Sequence, residues 1–206
     1  MVDVRWTAVV PVKRIASAKT RLCADVELRS RLALAFAADT VAAVSSCAGV
    51  ARVVVVTDDT AVNDAVRNRP GVLVVPDEPD AGLNPALKHG AAVGRRLAPG
   101  DGVLIVSSDL PALRPRELAA TLGDIPPDDA AFVSDASGVG TTVLAMPPYV
   151  TVEPRFGPRS HAAHHQVAVR IDRVDIPSVR RDVDTWADLW DARRMGVGPR
   201  TVAALR

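Results

Sequence analysis

Short β-branched runs alternating with longer amphipathic segments constrain this chain more than any other feature. Val4 to Val12, Val53 to Val56, Val72 to Val75 and Val103 to Val106 are apolar almost throughout, as strands covered on both faces must be. Between them, Val26 to Cys47 carries Leu28, Leu32, Phe36, Thr40 and Val44 at i, i+4 spacing, with Gly49 as a stop. Ala61 to Arg67 reads as a helix capped by Asp58 or Asp59, Pro85 to Leu97 as one capped by Asn84, and Pro115 to Leu122 as a shorter one. This alternation predicts an α/β fold, a parallel sheet with helices on both faces. The pattern then changes. Ala130 to Ser134 and Thr142 to Met146 read as strands joined by Gly138-Val139-Gly140, Ser160 to Gln166 as a helical turn, Val167 to Val174 as a strand and Thr185 to Met195 as a closing helix. The expectation is one domain over residues 1–206, mostly parallel, with a mixed-sheet insertion in its second half.

Composition narrows the function. With 206 residues, 48% hydrophobic and 24% charged, the chain is expected to bury a full core rather than stay disordered. No apolar run reaches the roughly 18 residues a membrane span needs. A net charge of +1 argues against a nucleic-acid binder. The first residues lack the marks of a secretory signal, so a cytoplasmic protein is expected. Cys23 and Cys47 make neither a disulfide framework nor a zinc ribbon, and Cys47 ends an apolar helix face, where it packs. Of 25 basic residues only Lys13, Lys19 and Lys88 are lysine. That bias suits a GC-rich genome, and it makes the close pair Lys13 and Lys19 stand out.

Ligands of open α/β sheets bind beyond the carboxyl ends of the strands. After the first strand, Lys13-Arg14-Ile15-Ala16-Ser17-Ala18-Lys19-Thr20-Arg21 puts four cations and two hydroxyls into nine residues. That suits a polyphosphate clamp better than a merely solvated basic loop, although it is neither a P-loop nor a dinucleotide fingerprint. Asp109, in Ser-Ser-Asp-Leu-Pro after the fourth strand, is placed to hold Mg²⁺ against a phosphate. Asp182-Val183-Asp184 puts two more carboxylates on one side of an extended segment, and three converging carboxylates call for a divalent cation. Asp184 is equally a candidate cap for the Thr185 helix. Gly82-Leu83-Asn84 offers close backbone approach and an amide able to read a base edge, with Asn84 as a simple cap the competing reading. Gly138 to Thr142 and Arg155 to Ser160 read as an anion site or as a pair of turns. His161, His164 and His165 share helical spacing, but no further ligand accompanies them, so they are expected on the surface beside that anion site. Trp186 and Trp190 are a helix face.

Taken in order, Val9-Val10-Pro11-Val12-Lys13, Ala18-Lys19-Thr20-Arg21-Leu22, Gly82-Leu83-Asn84, Ser108-Asp109-Leu110-Pro111-Ala112-Leu113, Gly140-Thr141, Pro154-Arg155-Phe156-Gly157-Pro158 and Asp182-Val183-Asp184-Thr185 resemble the phosphoenolpyruvate / 2-phospho-L-lactate guanylyltransferases, which act in biosynthesis of the deazaflavin coenzyme F-420. The actinobacterial, phosphoenolpyruvate-using branch is the most similar. The resemblance implies a three-layer α/β/α Rossmann-like nucleotidyltransferase fold, with a nucleotide-binding half over 1–125 and an acceptor-binding half over 126–206. It implies that Lys13, Lys19 and Arg21 hold the GTP phosphates and that Gly82 and Asn84 lie near the guanine. Asp109, Asp182 and Asp184 would hold Mg²⁺, and Thr141, Gly157 and Ser160 would bind phosphoenolpyruvate. The product would pass to a downstream deazaflavin transferase. Transfer to 2-phospho-L-lactate, 3-phosphoglycerate or a molybdenum-cofactor phosphate, and a nucleotide-binding module without turnover, are the alternatives. Two departures from the family pattern are Ser108, where glycine is common, and a first loop without glycine.

Overall fold

The computed structural model describes residues 4–15, 19, 21–78 and 80–206. Ser17 and Thr20 of the basic loop therefore lie outside the described residues. The chain runs β1 (Trp6–Pro11), α1 (Val26–Ser45), β2 (Val50–Val56), α2 (Thr60–Val66), β3 (Val72–Val75), α3 (Leu83–Leu97), β4 (Gly102–Val106) and α4 (Pro115–Gly123). It continues β5 (Ala131–Ser134), β6 (Thr141–Met146), α5 (Ser160–His164), β7 (Val169–Arg170), α6 (Pro177–Arg180), α7 (Trp186–Met195) and α8 (Pro199–Ala204).

All the strands form one seven-stranded sheet in the order β3-β2-β1-β4-β6-β5-β7. The first four run parallel, β6 lies antiparallel between β4 and β5, and β7 is parallel to β5. Side chains alternate across the sheet, as the period of two requires. Ala8, Val10, Val53, Val55, Leu104 and Val106 enter one core, whereas Val9, Val54, Val56, Val103 and Ile105 enter the other. Helices therefore cover both faces, and the central strands are apolar along their length for that reason. A third cluster joins Leu32 and Phe36 of α1 to Leu189 and Ala192 of α7 and Ala204 of α8.

Local signals explain most boundaries. Asp59 caps α2 through the Ala61 and Val62 amides, which settles the choice between Asp58 and Asp59. Thr185 caps α7 in a capping box with Asp188, releasing Asp184 from that competing role. Gly82, not Asn84, is the N-cap of α3. The strand expected over Val167 to Val174 shrinks to Val169–Arg170, an edge pairing that reaches only Ala131 and Phe132. Two short helices with proline in the first turn, α6 and α8, were not visible in the sequence pattern. Buried Asp39 of α1 caps α8 by accepting from the Arg200 and Thr201 amides.

The approach of α3 to the sheet rests on glycine. A Cβ at Gly90 would lie 2.5 Å from Val9 Cγ1 and 2.7 Å from Val56 Cγ2, both on buried strands. Close contact here brings the first turn of α3 beside the carboxyl ends of β1 and β4. Gly90→Ala gains about 1 kcal/mol of helix propensity but overpacks a closed contact at about 1–3 kcal/mol, so net destabilisation is expected. At Gly123, the last residue of α4, an added Cβ meets nothing within 4 Å. Gly123→Ala is therefore expected to be neutral or stabilising. Urea unfolding of both variants checks the opposite signs; equal effects would refute the packing argument.

Candidate active site

β1 continues to β2 and β3 on one side and has β4 on the other, so the order in which strands are added reverses between the parallel β1 and β4. The crevice beyond the carboxyl ends of such a pair is the expected ligand position. A cleft of about 220 Å³ opens there, lined by Lys13, Lys19, Leu83, Ser108, Asp109 and Phe156 among others.

Backbone bonds hold the turn after β4. The Ser107 amide donates to Thr142 O at 2.8 Å, and the Leu110 amide donates to the buried Thr40 hydroxyl at 3.0 Å. The Val183 amide donates to Asp109 O at 3.0 Å. Val183 is fully buried in the third cluster, so its neighbours Asp182 and Asp184 face the other way, toward Asp109. The alternation accounts for why Asp182 and Asp184 lie on the Asp109 side of this segment.

Lys19 occupies the centre of that group. Its backbone is left-handed, with φ 56°, a costly conformation for a residue with a Cβ. Its Nζ donates to Asp109 Oδ2 and, at 2.7 Å, to Asp184 Oδ1. Arg21 donates to the second Asp184 oxygen at 2.7 Å. Lys13 goes elsewhere and pairs with the buried Asp77 at 2.8 Å, while Arg14 approaches Asp80 at 3.9 Å. The Ile15 amide donates to Asp59 Oδ2 at 2.9 Å, which ties the start of the basic loop to the cap of α2. Of the groups picked out by sequence, Lys19 and Arg21 thus meet Asp109 and Asp184 as ion pairs.

Burial opposes charge on Lys19, but the Asp109 and Asp184 carboxylates outweigh it and hold the ammonium above its usual range. Burial also opposes the Asp184 charge, yet Lys19 and Arg21 keep that carboxyl below its usual value. Asp182 has the opposite balance: burial, then repulsion from Asp109, Asp135 and Asp184, pushes it up to about 7 despite Lys19. Negative charge is therefore in local excess, among oxygen donors of the kind hard divalent cations select. The residues fit such an ion. Among the described residues, the acidic group whose carboxylate oxygens lie within 4.8 Å of one another is Asp58, Asp77 and Asp80, with Lys13 already on Asp77. Asp109, Asp182 and Asp184 are spread around the Lys19 ammonium rather than drawn together.

At the opposite wall, Gly82 has φ 111° and open space where a side chain would be. The Asn84 amide is committed to a backbone: Nδ2 donates to Phe156 O at 3.0 Å, and Oδ1 accepts from the Phe156 amide at 2.8 Å. Any influence of Asn84 on a base therefore runs through the Phe156 loop. This bridge lay beyond sequence reasoning, since Phe156 is remote along the chain.

Because β6 runs backwards, its first residue lies at the same edge as the end of β4. Thr141 and Ser160 are both buried there, and Gly157 takes φ 125° in the loop between them. The helix beginning at Ser160 has only five residues, too few for a sizeable dipole. His164 corrects the surface expectation for the three histidines, being 0% exposed. Its Nδ1 lies 2.9 Å from Thr141 Oγ1, and its Nε2 accepts from the Arg155 amide at 2.9 Å. Burial, with the Arg155 charge, lowers its pKa to about 4. His161 Nδ1 lies 2.7 Å from the Ser134 hydroxyl. Cys47 is buried, and its thiol is pushed up to about 11, in keeping with a packing role.

The Asp182 environment makes a prediction. An unfolded chain releases this proton near pH 4, whereas the folded protein keeps it to about 7. With divalent cations chelated, the charged carboxylate then costs stability as pH rises through that window. The melting-temperature advantage of Asp182→Asn over wild type is expected to grow from about pH 5 to about pH 8, and to shrink on adding a divalent cation. A difference independent of pH would contradict the charge-excess account.

Residues 6–195 match the family described as Guanylyl transferase CofC like. The chain is 51% identical to a phosphoenolpyruvate guanylyltransferase from Thermomonospora curvata, over 98% of this chain and 89% of that protein. It is also 51% identical to one from Streptomyces coelicolor, over 97% and 95%. A solved nucleotidyl transferase from Methanothermobacter thermautotroptrophicus is similar in fold, with TM-score 0.62 at 20% identity over 92% of this chain and 96% of that one. A 4-diphosphocytidyl-2C-methyl-D-erythritol synthase is similar at TM-score 0.55 and 14% identity, over 93% and 99%. With a nucleotidyltransferase fold and a match over nearly its whole length, the chain belongs to the CofC-like guanylyl transferase family.

Proposed function

We propose that this chain transfers the guanylyl group of GTP to phosphoenolpyruvate, releasing pyrophosphate and forming enolpyruvoyl-2-diphospho-5'-guanosine. The observation that carries the reading is the Lys19 ammonium lodged between Asp109 and Asp184 at the β1–β4 crevice. It supports the reading because an ammonium suited to phosphate and two carboxylates suited to a divalent cation meet there. Relatives about half identical along nearly the whole chain bear this activity as their name.

In the reaction, a phosphate oxygen of the acceptor forms a bond to the GTP α-phosphorus. The bond from that phosphorus to the bridging oxygen breaks, and pyrophosphate leaves with the electron pair. A phosphate monoester is largely ionised at neutral pH, so no general base is required; positioning and charge stabilisation suffice. Lys19 and Arg21 exchange their carboxylate partners for phosphate oxygens, and Lys13 moves from Asp77 to the same polyphosphate. Gly82 leaves room for the guanine, beside the Phe156 loop that Asn84 holds. Thr141, Gly157 and Ser160 take the acceptor's anionic groups. Asp109, Asp182 and Asp184 would hold Mg²⁺, whose positive charge would stabilise the phosphate oxygens. The diphosphate product is labile, which favours direct hand-over to a deazaflavin transferase in the cytoplasm.

Pyrophosphate release from GTP and Mg²⁺ is expected with phosphoenolpyruvate, measured with the downstream transferase and its acceptor present as a trap. Release only with 2-phospho-L-lactate or 3-phosphoglycerate would keep the chemistry and replace the substrate. GTP binding without release from any acceptor would overturn the enzyme reading. Asp109→Asn is expected to lower kcat by at least ~10²-fold, the scale of losing one electrostatic stabiliser. Turnover like wild type would remove Asp109 from the reacting site.

A further inference from the structure

The buried imidazole of His164 fixes which way the Thr141 hydroxyl can donate. His164 Nε2 accepts from the Arg155 amide at 2.9 Å. A nitrogen that accepts from an N–H carries no proton, so the neutral ring carries its proton on Nδ1. Complete burial and the nearby Arg155 charge both favour that neutral form. Nδ1 therefore donates to Thr141 Oγ1, 2.9 Å away. The hydroxyl has a single proton, and with the imidazole donating to its oxygen, that proton must go to a different acceptor. Ring contacts with Phe132 and Phe156 lock the imidazole plane from two sides, with centroids 6.0 Å and 5.0 Å away.

We infer that His164 is a positioning residue for the acceptor substrate: it sets the Thr141 hydroxyl as a donor aimed at an anionic oxygen of the phospho-acid, and at the same time pins the Arg155–Ser160 loop through the Arg155 amide. One ring thus couples the first residue of β6 to the loop that closes over the same ligand. The inference rests on Thr141 binding the acceptor, as proposed above. It adds a preference for acceptors with an oxygen acceptor at that point, since a donor there would face the hydroxyl proton.

A double-mutant cycle tests it, with initial rates of pyrophosphate release measured against phosphoenolpyruvate and against GTP. Thr141→Val is expected to raise the phosphoenolpyruvate KM at least tenfold, leave the GTP KM within twofold, and be rescued by Thr141→Ser. His164→Gln, whose amide reaches the Nε2 position and keeps a partner for the Arg155 amide, is expected to reproduce the Thr141→Val split. His164→Asn, whose amide N–H falls near Nδ1, is expected to retain most acceptor affinity. The Thr141→Val/His164→Gln double variant is expected to be no worse than the poorer single variant, since both remove one interaction. Thermal melts confirm that each variant folds; if His164→Gln does not melt cooperatively, His164→Met, which likewise lacks a donor at Nδ1, takes its place with the same expected split.

Additive losses, or equal rises in both KM values, would overturn the inference and assign His164 to packing alone. A Thr141→Val variant with an unchanged acceptor KM would overturn the placement of the acceptor at Thr141, and the inference with it. Loss in Thr141→Val without loss in His164→Gln would overturn only the inference. If wild type uses a different phospho-acid, the same cycle run with that acceptor decides the question unchanged.

Discussion

The hydrogen bond from the Val183 amide to the Asp109 carbonyl joins the two ends of the site. Asp109 stands at the tip of a central strand, whereas Asp182 and Asp184 come from a segment near the end of the chain. Neither end is useful without the other. The bond is worth only about 1 kcal/mol by itself, so the surrounding packing must hold its geometry. Val183 is buried with Leu189, Ala192 and Ala204 against Leu32 and Phe36 of α1. The terminal helices α7 and α8, packed with α1 in this cluster, anchor the edge that carries the three carboxylates. Asp39 ties them down again by capping α8 from the middle of α1.

Charge sets the second constraint. Lys19 neutralises Asp109 and Asp184, but Asp182 is left among like charges. A protein has no reason to bury such a carboxylate for stability alone, because desolvation and repulsion both oppose it. The excess makes sense as a site completed by charge from outside. Its partner constraint is steric: glycine on α3 lets that helix lie against Val9 and Val56, and Asn84 then ties its first turn to the Phe156 loop. The two walls of the cleft are thereby joined through one amide side chain.

The parallel half of the fold was legible in the sequence because its signals are local. Four β-branched runs and their intervening helices came out within a few residues, and the antiparallel pair β5–β6 was visible through its glycine turn. Where the signal depends on partners, it faded. Val167 to Val174 has strand composition, but an edge strand pairs only as far as its neighbour extends, and β5 is short. The strand-end rule located Lys13, Lys19 and Asp109 on the cleft, and alternation put Asp182 and Asp184 on one side. The same reasoning could not reveal that Lys13 would pair with Asp77, or that Asn84 would be saturated by Phe156. His164 shows the limit most clearly. Three histidines at helical spacing look alike in sequence, and only burial between Phe132, Phe156 and Thr141 separates the interior one from its neighbours.

The reversal of β6 gives the two groups of candidate site residues separate chain origins. Lys13 and Asp109 follow the ends of forward strands, whereas Thr141 sits at the start of a backward one, after a turn that carries Gly138 and Gly140. Lengthening or shortening that turn acts on the start of β6 and lies outside the register of β1 against β4. Under the proposed roles, the acceptor side of such a scaffold changes without disturbing the strands that carry the nucleotide side.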